Sequence, residues 1–466
     1  MRYFLRCAIT ATCWFGASAF ILISTAQAMS FEQAWQQVLQ HNDSLAADKA
    51  NLARSEALRD AATDLYYPKI DLSGSYTRLE KPVALDLKDL EPLASLDPST
   101  LDPVLAQILG PLLQLPTTTN FTEQNITTSS IRAIWPLYLG GRRGAAIDIA
   151  REQHIEAAKI LAMRQQAKFE DLARVYFGVV LTTQVAQTYQ EVEDGLAKHR
   201  RNAMKLEQQG QIALVERLQA DASYDKAKVD TKKALRNYQI AQLALSKLLH
   251  QDTAIQPATK LFTEPRIPAL AAFMSKTLSS YPGLAILDSK AEQAKNMQII
   301  AKSLYQPEVY MFGNYQLYEG DSLAAKVSPD WMVGLGVSVP LVDNSGRSGK
   351  VQAAHSNLVQ IHYLHAQAER DLSLLVEKTY REAEQALEEY QGLESSLALA
   401  QENLRIRLKA FSQGLATSLD VVDAELFQAK VKTQRQSAAY NHVIALAKLT
   451  ALSGEMDRFS QYYRFN

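Results

Sequence analysis

The chain is written twice, and each copy reads helix, strand, strand, long helix, helix. Pro68, Gly74 and Tyr76 recur as Pro307, Gly313 and Tyr315, each 239 positions later. Pro136, Arg143, Tyr176, Gly210, Ala220 and Leu245 recur as Pro340, Arg347, Tyr380, Gly414, Ala424 and Leu449, each 204 positions later. A repeat of this length sets the architecture before any local motif does. The second offset holds without a gap from the end of a strand pair to the end of a helix pair. The two offsets differ by 35 residues, so the first copy carries an extra segment between Tyr76 and Pro136, inside its strand pair. The expected organisation is a first structural repeat over 29–262, with helical hairpin 145–249, and a second over 263–466, with helical hairpin 348–453.

The N-terminus has the form of an export signal. Arg2 and Arg6 precede a mostly apolar stretch from Ala8 to Ile23, and Ala26-Gln27-Ala28 is a small–x–small cleavage pattern. Residues 1–28 are read as a secretory signal peptide with Met29 as the mature start, the alternative being an uncleaved anchor helix. No cysteine follows the cleavage pattern, so a lipoprotein is not expected. Both cysteines, Cys7 and Cys13, lie inside the signal. The exported part therefore depends on burial and assembly where small secreted domains use disulfides. A net charge of −1 supplies no bulk field for nucleic acid, and no mature segment is apolar for long enough to form a transmembrane helix.

Four segments break the helical pattern: 68–79, 126–138, 307–318 and 331–341. Side chains alternate faces along a strand. Ile70, Leu72, Gly74 and Tyr76 share one face of the first segment, and Val309, Met311, Gly313 and Tyr315 share one face of the third. Ile131, Ala133, Trp135 and Leu137 share a face of the second, and Leu335, Val337, Val339 and Leu341 of the fourth. Each segment is about 10 residues long and alternates apolar with polar, which is the pattern of a tilted strand crossing a bilayer. A half-exposed soluble sheet would alternate in the same way. Four strands cannot close a barrel, and open edges do not persist in hydrocarbon. Several copies would have to share one barrel: two would give eight strands with a filled interior, three would give twelve with a lumen.

The helices are too long for an ordinary globule. Residues 145–209 hold no proline and only Gly178 and Gly195, and residues 350–413 hold no proline and only Gly392. At 1.5 Å per residue each spans on the order of 100 Å. Apolar residues recur at helical spacing, as in Leu172, Val175, Tyr176, Val179 and Val180. Each long helix ends at a glycine, Gly210 or Gly414, the residue favoured just past a helix C-terminus. A shorter helix then returns, so each copy ends in a helical hairpin. Residues 250–268, with Pro257, Pro265 and Pro268, read as the linker between copies.

The signal, the duplicated plan, the prolines that lead into and out of the strands, and Gly-x5-acid at both hairpin tips together resemble the outer membrane efflux proteins of the TolC family. The resemblance covers essentially the whole mature chain. It implies a homotrimer with a 12-stranded outer-membrane β-barrel on a periplasmic tube of helices. In that role the chain would be a passive exit duct in the outer membrane of a Gram-negative bacterium, in contact with outer-membrane lipid. It would be engaged by a periplasmic adaptor and an inner-membrane pump of RND or ABC type, for efflux or type I secretion. No enzyme activity, cofactor, metal or nucleic acid belongs to that role. The rival role is a soluble periplasmic coiled-coil adaptor or scaffold, which would need no matched strand pairs.

The second hairpin tip reads Phe411-Ser-Gln-Gly414-Leu-Ala416-Thr-Ser-Leu-Asp420-Val-Val-Asp423. In the family, two aspartates three residues apart at this place line the periplasmic entrance, and Asp420 and Asp423 match them. That spacing puts both on one helix face. From the residues alone, Asp420 serves equally as the cap of the returning helix and Asp423 as first-turn charge. Phe411 and Ala416 stand where the family's type member has a Tyr and an Arg that latch the entrance, so the latch region (Phe411, Gly414, Glu216, Arg217) is expected to be built differently, with a contact between Glu216 and an arginine conceivable. Gly334-Leu-Gly336 lies in a strand and opens no helix, so it is not a phosphate loop. His355, His362 and His365 fall near one helix face but read as solvated. No nucleophile–base pair or paired carboxylates suggest catalysis.

The extra segment of the first strand pair, within 80–125, holds Pro82, Pro92, Pro98, Pro103, Pro111 and Pro116, so no regular strand is expected to run through it. Since the resemblance sends the helices into the periplasm, this loop is expected outside the cell. A peptide tag inserted near Asp97 is expected to be labelled on intact cells; labelling only after the outer membrane is broken would reverse the topology.

Overall fold

In a computed structural model the protein is described over residues 28–86, 102–104, 118–342 and 344–464. The signal segment before Ala28, Asp97 and most of the prolines of the 80–125 loop lie outside the described residues. The elements in chain order are β1 (Ala28–Met29), α1 (Phe31–His41), α2 (Asp43–Thr63), β2 (Lys69–Arg78), β3 (Ala84–Asp86), β4 (Thr118–Asn120), β5 (Asn125–Leu139), α3 (Arg142–Gln208), α4 (Leu214–Leu248) and β6 (Gln256–Pro257). There follow α5 (Leu270–Ser280), α6 (Pro282–Ser303), β7 (Glu308–Tyr318), α7 (Leu323–Val327), β8 (Trp331–Ser338), α8 (Arg347–Ser412), α9 (Ser418–Leu452) and α10 (Gln461–Arg464). Among the described residues no helix is long and apolar enough to cross a membrane. Two compact units emerge. One gathers the described residues up to Ala46, Arg164–Ser279, and those from Leu374 onward; the other is Ala47–Met163 with Ser280–Ser373.

The second unit holds a four-stranded antiparallel sheet in the order β2-β5-β7-β8. Register brings the expected apolar positions onto one face. Leu72 pairs with Ile131, Ile131 with Tyr315 and Tyr315 with Trp331. Ile70, Ala133, Gly313 and Val333 form the next row. This face is bare in the single chain: Leu72 is 72% exposed and Leu335 70%. The other face carries the row Asp71, Arg132, Asn314 and Met332. It also carries aromatic rings where alternation alone suggested only polar groups. Tyr310 faces Gly336 and Phe312 faces Gly334, and a β-carbon at either glycine would collide with the opposing ring. The Gly-x-Gly pair thus makes room for cross-strand aromatics.

Three strand expectations are corrected. The alternation assigned to Leu137 fails because the register shifts after Pro136, so that Tyr138 lies opposite Val309; proline has no N–H to donate, and a bulge absorbs the loss. The last strand stops at Ser338, before Pro340, leaving Val339 and Leu341 outside it. The 80–125 loop does contain regular pairing, with proline-free β3 and β4 forming a short antiparallel ladder.

Each strand pair is tied to its long helix by the same device. The Arg143 guanidinium donates to the Pro136 carbonyl and lies over the Tyr66 ring, 4.9 Å from its centre. Arg347 donates to the Pro340 carbonyl at 2.9 Å and lies 4.7 Å from the centre of the Tyr305 ring. Arginine suits this place because its planar fork bonds a carbonyl while its face stacks on an aromatic ring.

The first unit has an aromatic core. Phe31 of α1 packs on Phe169, Tyr176 and Phe177 of α3 and on Phe459, with ring centres 5.2–5.5 Å apart. The buried Tyr176 hydroxyl donates to the Met29 carbonyl at 2.6 Å and accepts from the Thr259 N–H at 3.0 Å. It thereby clamps the parallel pair β1–β6. His442, fully buried on α9, donates from Nδ1 to the Ala383 carbonyl at 2.8 Å and accepts the Glu264 N–H at Nε2. Burial lowers its pKa, which keeps the ring neutral and satisfied on both sides.

Tyr176→Phe removes the hydroxyl from two buried backbone partners. It should cost about 1–3 kcal/mol locally, read as faster amide exchange at Thr259 and along β1–β6, with exchange at the hairpin tips unchanged.

Candidate functional site

The two hairpin tips lie in the same unit, at the α3–α4 and α8–α9 turns. Both turns close in the same way. Gly210 and Gly414 take φ of +70° and +72°, a left-handed conformation that glycine adopts without penalty. Gln211 N–H donates to the Leu206 carbonyl at 2.8 Å, and Leu415 N–H to the Ala410 carbonyl at 2.9 Å. These are Schellman-type closures at repeat-equivalent positions. Beneath them Ala203, Ala220, Phe411 and Val421 form a buried cluster.

Past the turns the two copies differ. In α9, Thr417 is the N-cap: its hydroxyl accepts the Asp420 N–H at 3.2 Å, and Asp420 returns a carboxylate oxygen to the Thr417 N–H at 2.9 Å. This is a capping box. Asp420 therefore stands three residues inside the helix as the reciprocal partner, and the cap that the residues alone assigned to it belongs to Thr417. A second carboxylate contact links Asp420 to the Arg407 guanidinium of α8 at 3.1 Å. The Thr417 hydrogen bonds, with Arg407 beside them, hold the Asp420 pKa below the usual carboxylate range. Asp423, one turn further on, is exposed.

In α4 the N-cap is Ala213, which has no side chain to offer. Glu216, at the position equivalent to Asp420, instead crosses to the other hairpin. Its carboxylate accepts the Ser418 N–H, in the first turn of α9, at 2.6 Å. A carboxylate there satisfies an otherwise orphaned donor and complements the helix dipole. The contact conceived between Glu216 and an arginine is thus replaced by a backbone one. Arg217 turns away and binds Asp221 at 2.7 Å, which Arg200 also holds at 2.7 Å.

Ser418 is gripped a second time. Its hydroxyl shares a 2.6 Å hydrogen bond with His199 Nε2 of α3. The His199 ring lies 4.4 Å from the Phe411 ring, centre to centre and edge-on. Burial lowers its pKa to about 4, with Glu216 opposing in part. One helical turn away on α3, Gly195 opens a notch that takes the Glu425 carboxyl of α9; a β-carbon at 195 would collide with it. Burial, reinforced by Glu191 and opposed by Lys198, pushes Glu425 up to about 7. Val192, Leu196, Ala227, Val422 and Ala429 close this layer. The His199–Ser418 and Gly195–Glu425 layers were not foreseen: each pairs residues on different hairpins, with no local spacing to betray it. The capping box was open to view, since Thr417-x-x-Asp420 is its sequence form.

The histidines of α8 do not converge on a metal site. His365 pairs with Asp288 at 3.2 Å and His355 with Gln298 at 3.2 Å. Among the described residues no group of three or more His, Cys, Asp or Glu is placed to hold a metal.

These features coincide with a known family. The family model for outer membrane efflux proteins matches residues 34–250 and 275–455. No curated protein matches the chain. Among solved structures, the outer-membrane channel OprN is similar at 14% identity and a TM-score of 0.74, over 91% of this chain and 90% of that one. The outer membrane protein VceC of Vibrio cholerae is similar at 15% identity and a TM-score of 0.71, over 91% and 96%. The open state of the MtrE outer membrane channel of Neisseria gonorrhoeae is similar at 16% identity and a TM-score of 0.66, over 91% and 89%. The mostly helical fold is that of outer-membrane efflux channels, and the chain belongs to the outer membrane efflux protein family.

Glu425 and His199 give the hairpin seam opposite responses to pH. The raised Glu425 pKa contributes stability that is present below about 4.5 and lost as pH rises through about 7. The lowered His199 pKa contributes stability that is present above about 6.5 and lost as pH falls through about 4. Relative to the native chain, Glu425→Gln should therefore gain tip protection at pH 8 over pH 5, and His199→Phe should gain at pH 5 over pH 8. Amide exchange at residues 414–425 measures both; slopes of the same sign in the two variants would contradict the assignment.

Proposed function

We propose that this efflux protein works as a homotrimeric exit duct in the outer membrane of a Gram-negative bacterium. Three chains would contribute four strands each to a 12-stranded barrel, set on a periplasmic tube formed by the long helices. The observation that supports this reading is the four-stranded sheet with one exposed apolar face and two open edges, β2 and β8. Hydrocarbon does not tolerate unpaired strand edges, and copies of the same sheet are the simplest partners. The soluble adaptor alternative has no use for such a face.

In this reading the chain has two structural repeats, 29–262 and 263–466, behind a cleaved signal peptide. A periplasmic adaptor and an inner-membrane pump of RND or ABC type engage the duct, the pump supplies the energy, and the cargo is small molecules or secreted protein. Asp420 and Asp423 line the periplasmic entrance. The latch region (Phe411, Gly414, Glu216, Arg217) acts through the grip on Ser418: Glu216 and His199 hold the start of α9, Phe411 packs on His199, Gly414 sets the turn, and Arg217 braces α4 on Asp221. Parting the two hairpins at Ser418 would widen the entrance.

The assembly is tested by the mass of the mature chain purified in detergent. Three copies are expected; a stable monomer that resists cross-linking would remove the shared-barrel argument.

A further inference from the structure

The Arg407–Asp420 contact bears on which charges an entering ion meets. It joins the last turns of α8 to the first turn of α9, with both side chains partly exposed. Arg405, two residues earlier, is held by Glu402, so Arg407 is the guanidinium that reaches the Asp420 carboxylate. The same carboxylate is also bonded by the Thr417 N–H and hydroxyl and sits at the positive end of the α9 dipole. Among the described residues the Asp423 carboxylate has neither a hydrogen bond nor an ion pair, and the residue is exposed. The first hairpin offers no counterpart: Ala203 stands in the place of Arg407 and Gln219 in that of Asp423.

We infer that Arg407 sets the ion preference of the entrance by cancelling the charge of Asp420, which leaves Asp423 as the acidic group that attracts cations. The inference rests on the reading of Asp420 and Asp423 as entrance-lining residues. Two aspartates on one face would suggest two acidic rings of equal weight. With Arg407 within 3.1 Å of Asp420, one ring is a neutral ion pair and the other bears the net charge. Charge at such a constriction governs which ions enter, and a paired charge seen from beyond a few ångströms is only a dipole. Arg407 is thus a specificity-determining residue although it is neither acidic nor part of the aspartate motif. Asp420 is first a structural carboxylate, held in the capping box of α9.

The test uses the assembled full-length protein in planar bilayers, with the potassium–chloride reversal potential and block by hexaamminecobalt(III) as readouts. Arg407→Gln is expected to raise cation preference and to lower the half-blocking concentration by roughly tenfold, since each copy gains one net negative charge beside the path of a trivalent ion. Asp423→Asn should move both readouts the opposite way. Asp420→Asn should also move them that way, because it strands the Arg407 charge. The double variant Arg407→Gln/Asp420→Asn should return to native values, since it removes a neutral pair. All three substituted positions are exposed or partly exposed, and assembly of each of the four variants is confirmed by mass before recording. A silent Arg407→Gln, or a double variant as shifted as Asp420→Asn alone, would overturn the cancellation while leaving the entrance reading intact. If Asp423→Asn is silent as well, in channels of native conductance, the entrance reading itself falls and this inference falls with it.

Discussion

An unpaired backbone amide in hydrocarbon has nothing to bond with, and in the proposed duct that constraint governs how the sheet of this chain would be used. Four strands with matched apolar rows and two bare edges are an incomplete object in a membrane. The sequence around them serves to hold that object in register. Arg143 and Arg347 bond the carbonyls of Pro136 and Pro340 and stack on Tyr66 and Tyr305, so each strand pair leaves for its helix at a fixed point. Gly334 and Gly336 give up side chains so that Phe312 and Tyr310 can cover them. In the proposed shared barrel the two bare edges would tolerate little error in register, because a slip of one residue moves every side chain to the other face.

The duplication is kept at the hairpin turns and abandoned one step past them. The bonds from Gly210 to Glu207 and from Gln211 to Leu206 repeat as those from Gly414 to Phe411 and from Leu415 to Ala410. One step further, Thr417 in the second copy is Ala213 in the first, and that difference redirects a carboxylate. Asp420 folds back on its own cap, whereas Glu216, with no cap to serve, reaches the first turn of the other hairpin's helix. Ser418 then receives both Glu216 and His199. A tandem repeat thus makes an asymmetric contact from symmetric parts through one lost hydroxyl. Buried beside it, Glu425 and His199 carry pKa values displaced in opposite directions, so acid strengthens one layer of the seam as it weakens the next.

The repeat, the four strand segments, the two long helices and the glycines that end them were legible in the sequence, because each rests on periodicity or on backbone preference, which are local properties. The matched apolar parity of the strands was legible for the same reason, up to Pro136, where a bulge shifts the count. What the local signals could not settle was the partner of each polar group. Asp420 read as a cap because a helix start predicts a capping acid nearby, while the hydroxyl that takes the role lies three residues before it.

The sequence by itself determined the elements, their order, their duplication and the faces they present, since these follow from side-chain spacing along one chain. The tertiary structure alone decided that Glu216 serves Ser418, that His199 sits against Phe411, that Glu425 fills the notch at Gly195, and that Arg407 answers Asp420. The physical reason is that these contacts join different helices, or opposite sides of a hairpin, and a charge or hydrogen bond depends on distance in space, which spacing along the chain does not encode.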